Sequence, residues 1–295
     1  MNRGNESERS GKGLVFEIRE FSLFDGPGIR TTVFLKGCPL RCVWCHNPEG
    51  IAATPELLYS VRKCVHCGVC RSVCSLKEGE VCKSCGECAR SCPVQARRLC
   101  GIYMTPEEVV NEALISRDAF ESSGGGVTFS GGEPLLQPNF VVETAKILHG
   151  KEIHTAIETS GFAPSETYRR VIDSVDLVYQ DVKHMDDEKH RTYVGASNAG
   201  ILENVRWLKK SKKSFIIRVP LVPTVNDSIA NLSALADFLL DANNMLGVEL
   251  VPYHAASGGK YELLNRTPPM VFKEKQFGDE VLRPFRERGI RARLL

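Results

Sequence analysis

Short β-branched or apolar runs alternate with longer amphipathic stretches along most of this 295-residue chain. The runs TTVFLKG (31–37), GVTFSG (126–131), IHTAIET (153–159), LVYQDVK (177–183), FIIRVPL (215–221) and GVELVPY (247–253) read as strands. TPEEVVNEALISRDAF (105–120) reads as a helix, with Thr105 as its cap, Pro106 in the first turn and Glu108 three residues after the cap. PNFVVETAKILHG (138–150) reads the same way and ends at Gly150. Six strands separated by helices predict an α/β fold with a parallel sheet and right-handed crossovers, open or curled into a partial barrel. Reactive side chains in such sheets gather at the C-terminal ends of strands. The polar oddities fall there: Cys38 after the first run, Gly131, Gly132 and Glu133 after the second, Glu158 and Thr159 ending the third, Asp181 and Lys183 the fourth.

A hydrophobic share of 42% excludes a disordered chain, and the length fits one large domain or a core carrying a small insert. The 38 basic and 36 acidic side chains nearly cancel, so charge offers no pull toward nucleic acid or an anionic membrane, and neither is expected as a partner. Residues 1–13, MNRGNESERSGKG, read as a flexible polar tail. The following VFEIREF carries charges that interrupt any signal or membrane segment. A soluble, cytoplasmic monomer is expected. Twelve cysteines bunched between residues 38 and 100 point, in a reducing compartment, to metal binding rather than disulfides.

Nine of those cysteines lie in residues 61–100, where CVHCGVCRSVC (64–74) and CKSCGECARSC (82–92) repeat the spacing C-x2-C-x2-C-x3-C. This is the ligand run of bacterial ferredoxins, and Pro93 completes the Cys-Pro ending of the second copy. Two [4Fe–4S] cubanes are the expected occupants; paired structural zinc sites are the alternative, rarely built from two identical four-cysteine runs. In two-cluster ferredoxins the fourth cysteine of each run crosses over, which would group Cys64, Cys67 and Cys70 with Cys92, and Cys82, Cys85 and Cys88 with Cys74. The 18-residue period and Ser75 after Cys74 depart from that pattern. Cys100 stands outside both runs and reads as a small buried hydrophobe.

GCPLRCVWCHNPEG (37–50) carries Cys38, Cys42 and Cys45, three thiolates from one loop, enough for three irons of a cubane with the fourth left open. A Cys3His zinc site completed by His46 is the alternative, made awkward by its adjacency to Cys45. An open iron can be chelated by the amine and carboxylate of a substrate.

With Trp44 in the second spacer, C-x3-C-x2-C resembles the highly specific signature of radical S-adenosylmethionine (SAM) enzymes. The resemblance implies a partial (β/α)6 TIM-like barrel. It makes Cys38, Cys42 and Cys45 the catalytic cluster ligands, with SAM on the open iron and Trp44, Cys45 and His46 facing its adenosyl end. SGGEP (130–134) is similar to the superfamily's GGE element, giving Gly131, Gly132 and Glu133 to the SAM ammonium; Asp181, Val182 (through its backbone) and Lys183 match a D-x-K element. Arg218 and His254 match positions lining the SAM pocket, and a monovalent cation is expected near Thr159 and Asp181, beside Glu158.

FSLFDGPGIRTTVFLKGCPLRCVWCHNPE (21–49) narrows the resemblance to glycyl radical enzyme activating enzymes, the pyruvate formate-lyase activase family, over residues 14–265. The insert resembles those of activases for glycerol or diol dehydratases, arylacetate decarboxylases, benzylsuccinate synthase and choline trimethylamine-lyase. The implied division is a radical SAM core (14–60 and 101–295) and a ferredoxin-like insert (61–100) with two clusters, three in all. The implied reaction takes an electron from reduced flavodoxin or ferredoxin and cleaves SAM. The 5′-deoxyadenosyl radical then removes hydrogen from a glycine Cα of a partner glycyl radical enzyme, whose loop passes Asn47 and Pro48. A radical SAM enzyme acting on a small molecule is the alternative. A plain electron-transfer module would leave the six strands and the SAM elements unexplained.

Overall fold

The computed structural model describes residues 11–76 and 80–295. Most of the segment read as a polar tail, residues 1–10, lies outside the described residues, as do residues 77–79 of the cysteine-rich segment. Gly13 already opens a strand.

The strands are β1 (Gly13–Ser22), β2 (Arg30–Leu35), β3 (Glu56–Tyr59), β4 (Arg97–Cys100), β5 (Ile102–Met104) and β6 (Gly126–Gly131), followed by β7 (His154–Thr159), β8 (Leu177–Asp181), β9 (Ser214–Leu221), β10 (Met245–Pro252) and β11 (Ala292–Leu294). All six expected strands are present, each within two residues of its expected bounds. They pair in parallel in chain order as β2-β6-β7-β8-β9-β10, extended by β11 on one edge and by antiparallel β1 and β5 on the other. Laid flat, β2 and β9 would stand roughly 19 Å apart at the usual strand spacing. Arg218 of β9 nevertheless donates to the carbonyl of Phe24, just before β2, so the sheet curls around that contact.

Strand alternation sorts the two faces. Val33, Val127, Ile157, Val178, Ile217 and Val248 are fully buried against the helices, each contributing about 1.5–3 kcal/mol. Their neighbours Thr32, Thr128, Glu158, Tyr179, Arg218 and Glu249 face inward, so the barrel interior is polar where the outer layer is apolar. Outside the sheet, Thr105 and Glu108 form the expected capping box, with Thr105 N donating to Glu108 Oε2 at 2.7 Å. The helix is shorter than its apolar period suggests: Pro106–Ala113 tightens into a 3-10 turn, Leu114–Ser116, before Arg117–Ser123. That turn buries Ser116, whose hydroxyl donates to Glu20 of β1. Helix Pro138–His149 stops at Gly150 as expected.

The cysteine-rich segment stands on a separate two-stranded antiparallel sheet of β3 and β4. Its base therefore includes Glu56–Tyr59, which composition alone leaves with the core. The repeat is structural as well as sequential: Gly68 and Gly86 adopt φ of 79° and 83°, each opening a one-turn helix, Val69–Ser72 and Glu87–Arg90. None of the twelve cysteines is in a disulfide. Among the described residues no helix is long and apolar enough to cross a membrane.

Candidate active site

Three elements hold the loop after β2. Gly37 N donates to Gly50 O and Cys38 N to Ile51 O, at 2.7 and 3.0 Å, closing the loop on itself. Arg41 N and Val43 N donate to the carbonyls of Val194 and Tyr193, at 2.9 and 3.0 Å, so the end of helix Asp187–Val194 carries the loop from behind. Leu40 and Trp44 are buried with Val194, Val222 and Tyr253, and this leaves Cys38, Cys42 and Cys45 on the face of a cavity of about 270 Å³. That is near the lower end of small-molecule sites.

Asp187 braces this support: its carboxylate accepts from Ser197 Oγ (2.6 Å), Asn198 N (2.9 Å) and Arg191 Nε (2.8 Å). These donors, Ser197 first, lower it to about 2. A depressed carboxylate stabilises the fold above its unfolded value near 3.8 and loses that contribution as pH falls through the folded value. Asp187→Asn is therefore expected to show a constant stability deficit against the parent above about pH 5, shrinking as pH falls toward 2 and vanishing below it. Denaturant titrations of both proteins across that range measure it; a deficit independent of pH overturns the assignment.

Cys38, Cys42, Trp44, Cys45, His46, Gly131, Gly132, Asp181, Lys183 and Arg218 all line the one cavity, together with Glu158 and Thr159. Three expected contacts sit elsewhere. Glu133 is wholly buried behind the wall, and its carboxylate accepts from Leu135 N (3.1 Å), Thr159 Oγ1 (2.6 Å), Ser160 N (2.9 Å) and Ser160 Oγ. It fastens β6 to the loop after β7, and Ser130, Gly131 and Gly132 face the cavity in its place. Val182 is buried and its N–H is spent on Arg218 O at 2.9 Å, leaving its carbonyl as the backbone group on offer. His254 is exposed and outside the lining, because successive side chains of an extended segment point to opposite sides. Tyr253 takes the wall, and His254 packs against His46 with the rings tilted by 56° and their centroids 4.3 Å apart.

Ser130, Ser160 and Tyr253 line the cavity without having been expected there. The signal was available only as position, since each flanks a strand end.

Gly132 shows why the wall is built of glycine. Its N–H donates to Leu35 O at 2.7 Å, and an added Cβ would stand 2.3 Å from Gly37 O and 2.4 Å from Gly50 O. Both obstacles are backbone of the cysteine loop and cannot swing aside. Gly132→Ala should cost about 1–3 kcal/mol of stability and weaken SAM binding at least about tenfold, a factor worth 1.4 kcal/mol. Thermal unfolding and equilibrium dialysis read the two effects; unchanged binding overturns the view that this contact sets the loop's position.

Burial governs the charges. It pushes the Cys38 thiol up to about 12 and the Cys42 and Cys45 thiols to about 11, so these groups ionise only beside compensating positive charge. A cubane meets that need and takes each thiolate on a separate iron, so its ligands need not gather around one point; among the described residues no three Cys, His, Asp or Glu side chains do. Burial also works against the Lys183 ammonium, but the Asp181 carboxylate at 2.6 Å more than offsets it and holds Lys183 above the usual lysine range. His46 is pushed down to about 4 by burial, then by His254, and its Nε2 is buried without a partner. A neutral imidazole with an unmet polar atom suits the edge of a heterocycle. Three thiols, two glycine backbones, an ammonium–carboxylate pair and an unmet imidazole nitrogen thus fit a cluster with a zwitterionic, adenine-bearing ligand.

In the insert the cysteines fall into two cavities. Cys64, Cys67, Cys70 and Cys92 line one of about 240 Å³ with Tyr59 and Arg97; Cys74, Cys82, Cys85 and Cys88 line one of about 60 Å³ with Leu57. The fourth cysteine of each run lies with the other run.

Residues 32–236 match the Radical SAM superfamily. The chain is 40% identical over 276 residues to choline trimethylamine-lyase activating enzyme of Oleidesulfovibrio alaskensis, covering 88% of this chain and 89% of that one. It is 38% identical over 280 residues to 4-hydroxyphenylacetate decarboxylase activating enzyme of Clostridioides difficile, covering 88% of each. A solved radical SAM methyltransferase from Sphaerobacter thermophilus aligns with a TM-score of 0.52 at 17% identity, over 100% of this chain and 82% of that one; the likeness is one of fold.

Proposed function

The chain belongs to the radical SAM superfamily and to its glycyl radical enzyme activating enzymes, and on that premise we propose which residues carry the reaction. The family's cofactors are a [4Fe–4S] cluster and SAM, and its partner is a glycyl radical enzyme. Cys38, Cys42 and Cys45 hold the cluster, and Gly131, Gly132, Ser130, Asp181 and Lys183 receive the methionyl part of SAM. The observation that carries this assignment is the convergence of the three thiols, the glycine pair and the Asp181–Lys183 pair on one cavity.

A cluster held by Cys38, Cys42 and Cys45 would supply the one low-potential electron that cleaves SAM to methionine and a 5′-deoxyadenosyl radical, the species that would take hydrogen from a glycine Cα of the partner. The chain's own part is positional. Lys183, kept charged by Asp181, fixes a carboxylate; the glycine backbones let the ligand approach; Trp44, Leu40 and Tyr253 keep the floor dry, so that a radical is not quenched by solvent. Asn47 borders the cavity, and Asn47 and Pro48 are the proposed passage for the partner's glycine loop.

The division into a radical SAM core and a cluster-bearing insert is part of the same proposal, as are the two accessory clusters in the crossed grouping. So are reduced flavodoxin or ferredoxin as donor, a monomeric state, no nucleic-acid or membrane partner, and a cytoplasmic setting that keeps the thiols reduced. A monovalent cation near Thr159 and Asp181 would share Asp181 with Lys183, and a dependence of SAM affinity on sodium or potassium tests it. The reaction is tested by anaerobic reconstitution and reduction: SAM should yield 5′-deoxyadenosine, and a cognate glycyl radical enzyme should acquire a doublet by electron paramagnetic resonance. Deoxyadenosine formation with turnover of a small molecule, and no glycyl doublet with any cognate partner, overturns the proposal.

A further inference from the structure

The two four-cysteine runs share spacing and backbone, but the hairpin beneath them presents different side chains to each. Leu57 pairs with Leu99 and Tyr59 with Arg97 across β3 and β4, and residues two apart on a strand share a face. The apolar pair lies at the cavity of Cys74, Cys82, Cys85 and Cys88: Leu57 lines it, and Leu99 Cδ2 approaches Gly86. The polar pair lies at the cavity of Cys64, Cys67, Cys70 and Cys92. There the Arg97 guanidinium stacks 4.6 Å over the Tyr59 ring, and both side chains line the cavity beside Cys64 and Cys70. Among the described residues one hydrogen bond reaches a sulfur at each site, Ala96 N to Cys92 Sγ at 3.2 Å and Ser84 N to Cys82 Sγ at 3.4 Å. Lys83 and Glu87 beside the second site are exposed and opposite in sign, and His66 and Arg71 beside the first are exposed as well. Solvent screens all four.

We infer that Tyr59 and Arg97 split the reduction potentials of the two accessory clusters, making the one held by Cys64, Cys67, Cys70 and Cys92 the more readily reduced. The inference rests on the two-cluster reading above. Each cluster gains one electron and one negative charge on reduction, with no atom transferred; a guanidinium and a hydroxyl in the wall beside the ligand sulfurs stabilise that more negative state. Of the two cysteine cavities, Tyr59 and Arg97 line only the first; the charge of Arg97 reaches the second site through space and in weaker form, whereas the neutral Tyr59 hydroxyl does not. Val61, three residues before Cys64, lines the same groove as Cys42. An electron taken from a low-potential carrier protein therefore settles on the site of Cys64, Cys67, Cys70 and Cys92.

The test is a redox titration of the reconstituted full chain, poised with dithionite and followed by electron paramagnetic resonance, with iron and sulfide analysis of every sample. In the parent protein the two accessory signals should differ at least about tenfold in reduced-to-oxidised ratio at a common potential, equivalent to about 59 mV for a one-electron couple. Tyr59→Phe should lower the higher potential alone. Arg97→Met should lower it further and narrow the gap, and Arg97→Lys should restore part of the shift. Coincident titration in the parent, or variants with full iron content and unmoved potentials, overturns the inference. Insert sites that carry zinc or no metal overturn the two-cluster reading, and the inference with it.

Discussion

Cys42→Ala yields a folded protein that retains the insert's iron and forms 5′-deoxyadenosine at less than about a thousandth of the parent rate, a loss above about 4 kcal/mol in barrier. The loop survives because Leu40 and Trp44 anchor it and because Arg41 and Val43 are hydrogen-bonded to the helix behind. The chemistry does not survive, because no other thiol lines the cavity to replace the lost ligand. Iron should fall from about twelve to about eight atoms per chain, the content of two cubanes. Cys100→Ala is the matched control: its thiol is buried beside Glu49 O at 3.8 Å, away from every cluster cavity, and its loss should leave both iron and turnover unchanged. SAM cleavage within tenfold of the parent in Cys42→Ala would remove this loop from the reaction.

The contrast between those two cysteines was legible in their spacing, and much else followed from local pattern. The six parallel strands are buried on at least one face, so each appears as a short apolar run. The capping box at Thr105 is written in three residues. What stayed hidden depends on pairing at a distance. β1 runs through VFEIREF, whose charges read as an interruption when Glu17 and Arg19 share one face of an antiparallel strand and Glu20 accepts from Ser116. β5 and β11 have three residues each, too few to show a period. In the site, residue types at strand ends were readable, but the direction of a carboxylate was not. Glu133 looked like an ammonium ligand until four donors from Leu135, Thr159 and Ser160 were seen to use it up. Lys36 gave no signal at all. It is fully buried and joins Glu49 O to the Glu56 carboxylate, both at 2.6 Å, tying the cysteine loop to the base of the insert.

Arg218 has the second-largest expected effect, because it holds the barrel's charges together. Its guanidinium meets Glu158, Glu249 (2.8 Å from Nε) and the Phe24 carbonyl, and stacks 4.2 Å over Tyr179. Glu249 keeps Arg293 as a second partner, but Glu158 would keep only the Ser130 hydroxyl at 2.7 Å. Arg218→Met should therefore cost about 3–5 kcal/mol, the usual penalty for stripping one partner from a buried ion pair. Burial already raises Glu158 to about 7 against the pull of Arg218; without that cation it rises further. A carboxyl whose folded pKa lies above its unfolded value near 4.5 stabilises the fold most at low pH and loses that contribution as pH rises through the folded value. Parent and variant lose that contribution alike until pH nears the parent's folded value of about 7, and above it only the variant goes on losing, so the deficit of Arg218→Met should be flat below about pH 6 and grow above pH 7. Adding Glu158→Gln should recover a large part of it at pH 8, since the neutral amide leaves no stranded charge, while SAM cleavage stays low because the cavity wall has lost the Arg218 guanidinium. A pH-independent deficit, or a double variant no more stable than Arg218→Met alone, would show that Arg218 supports the barrel through packing on Tyr179 instead of through charge.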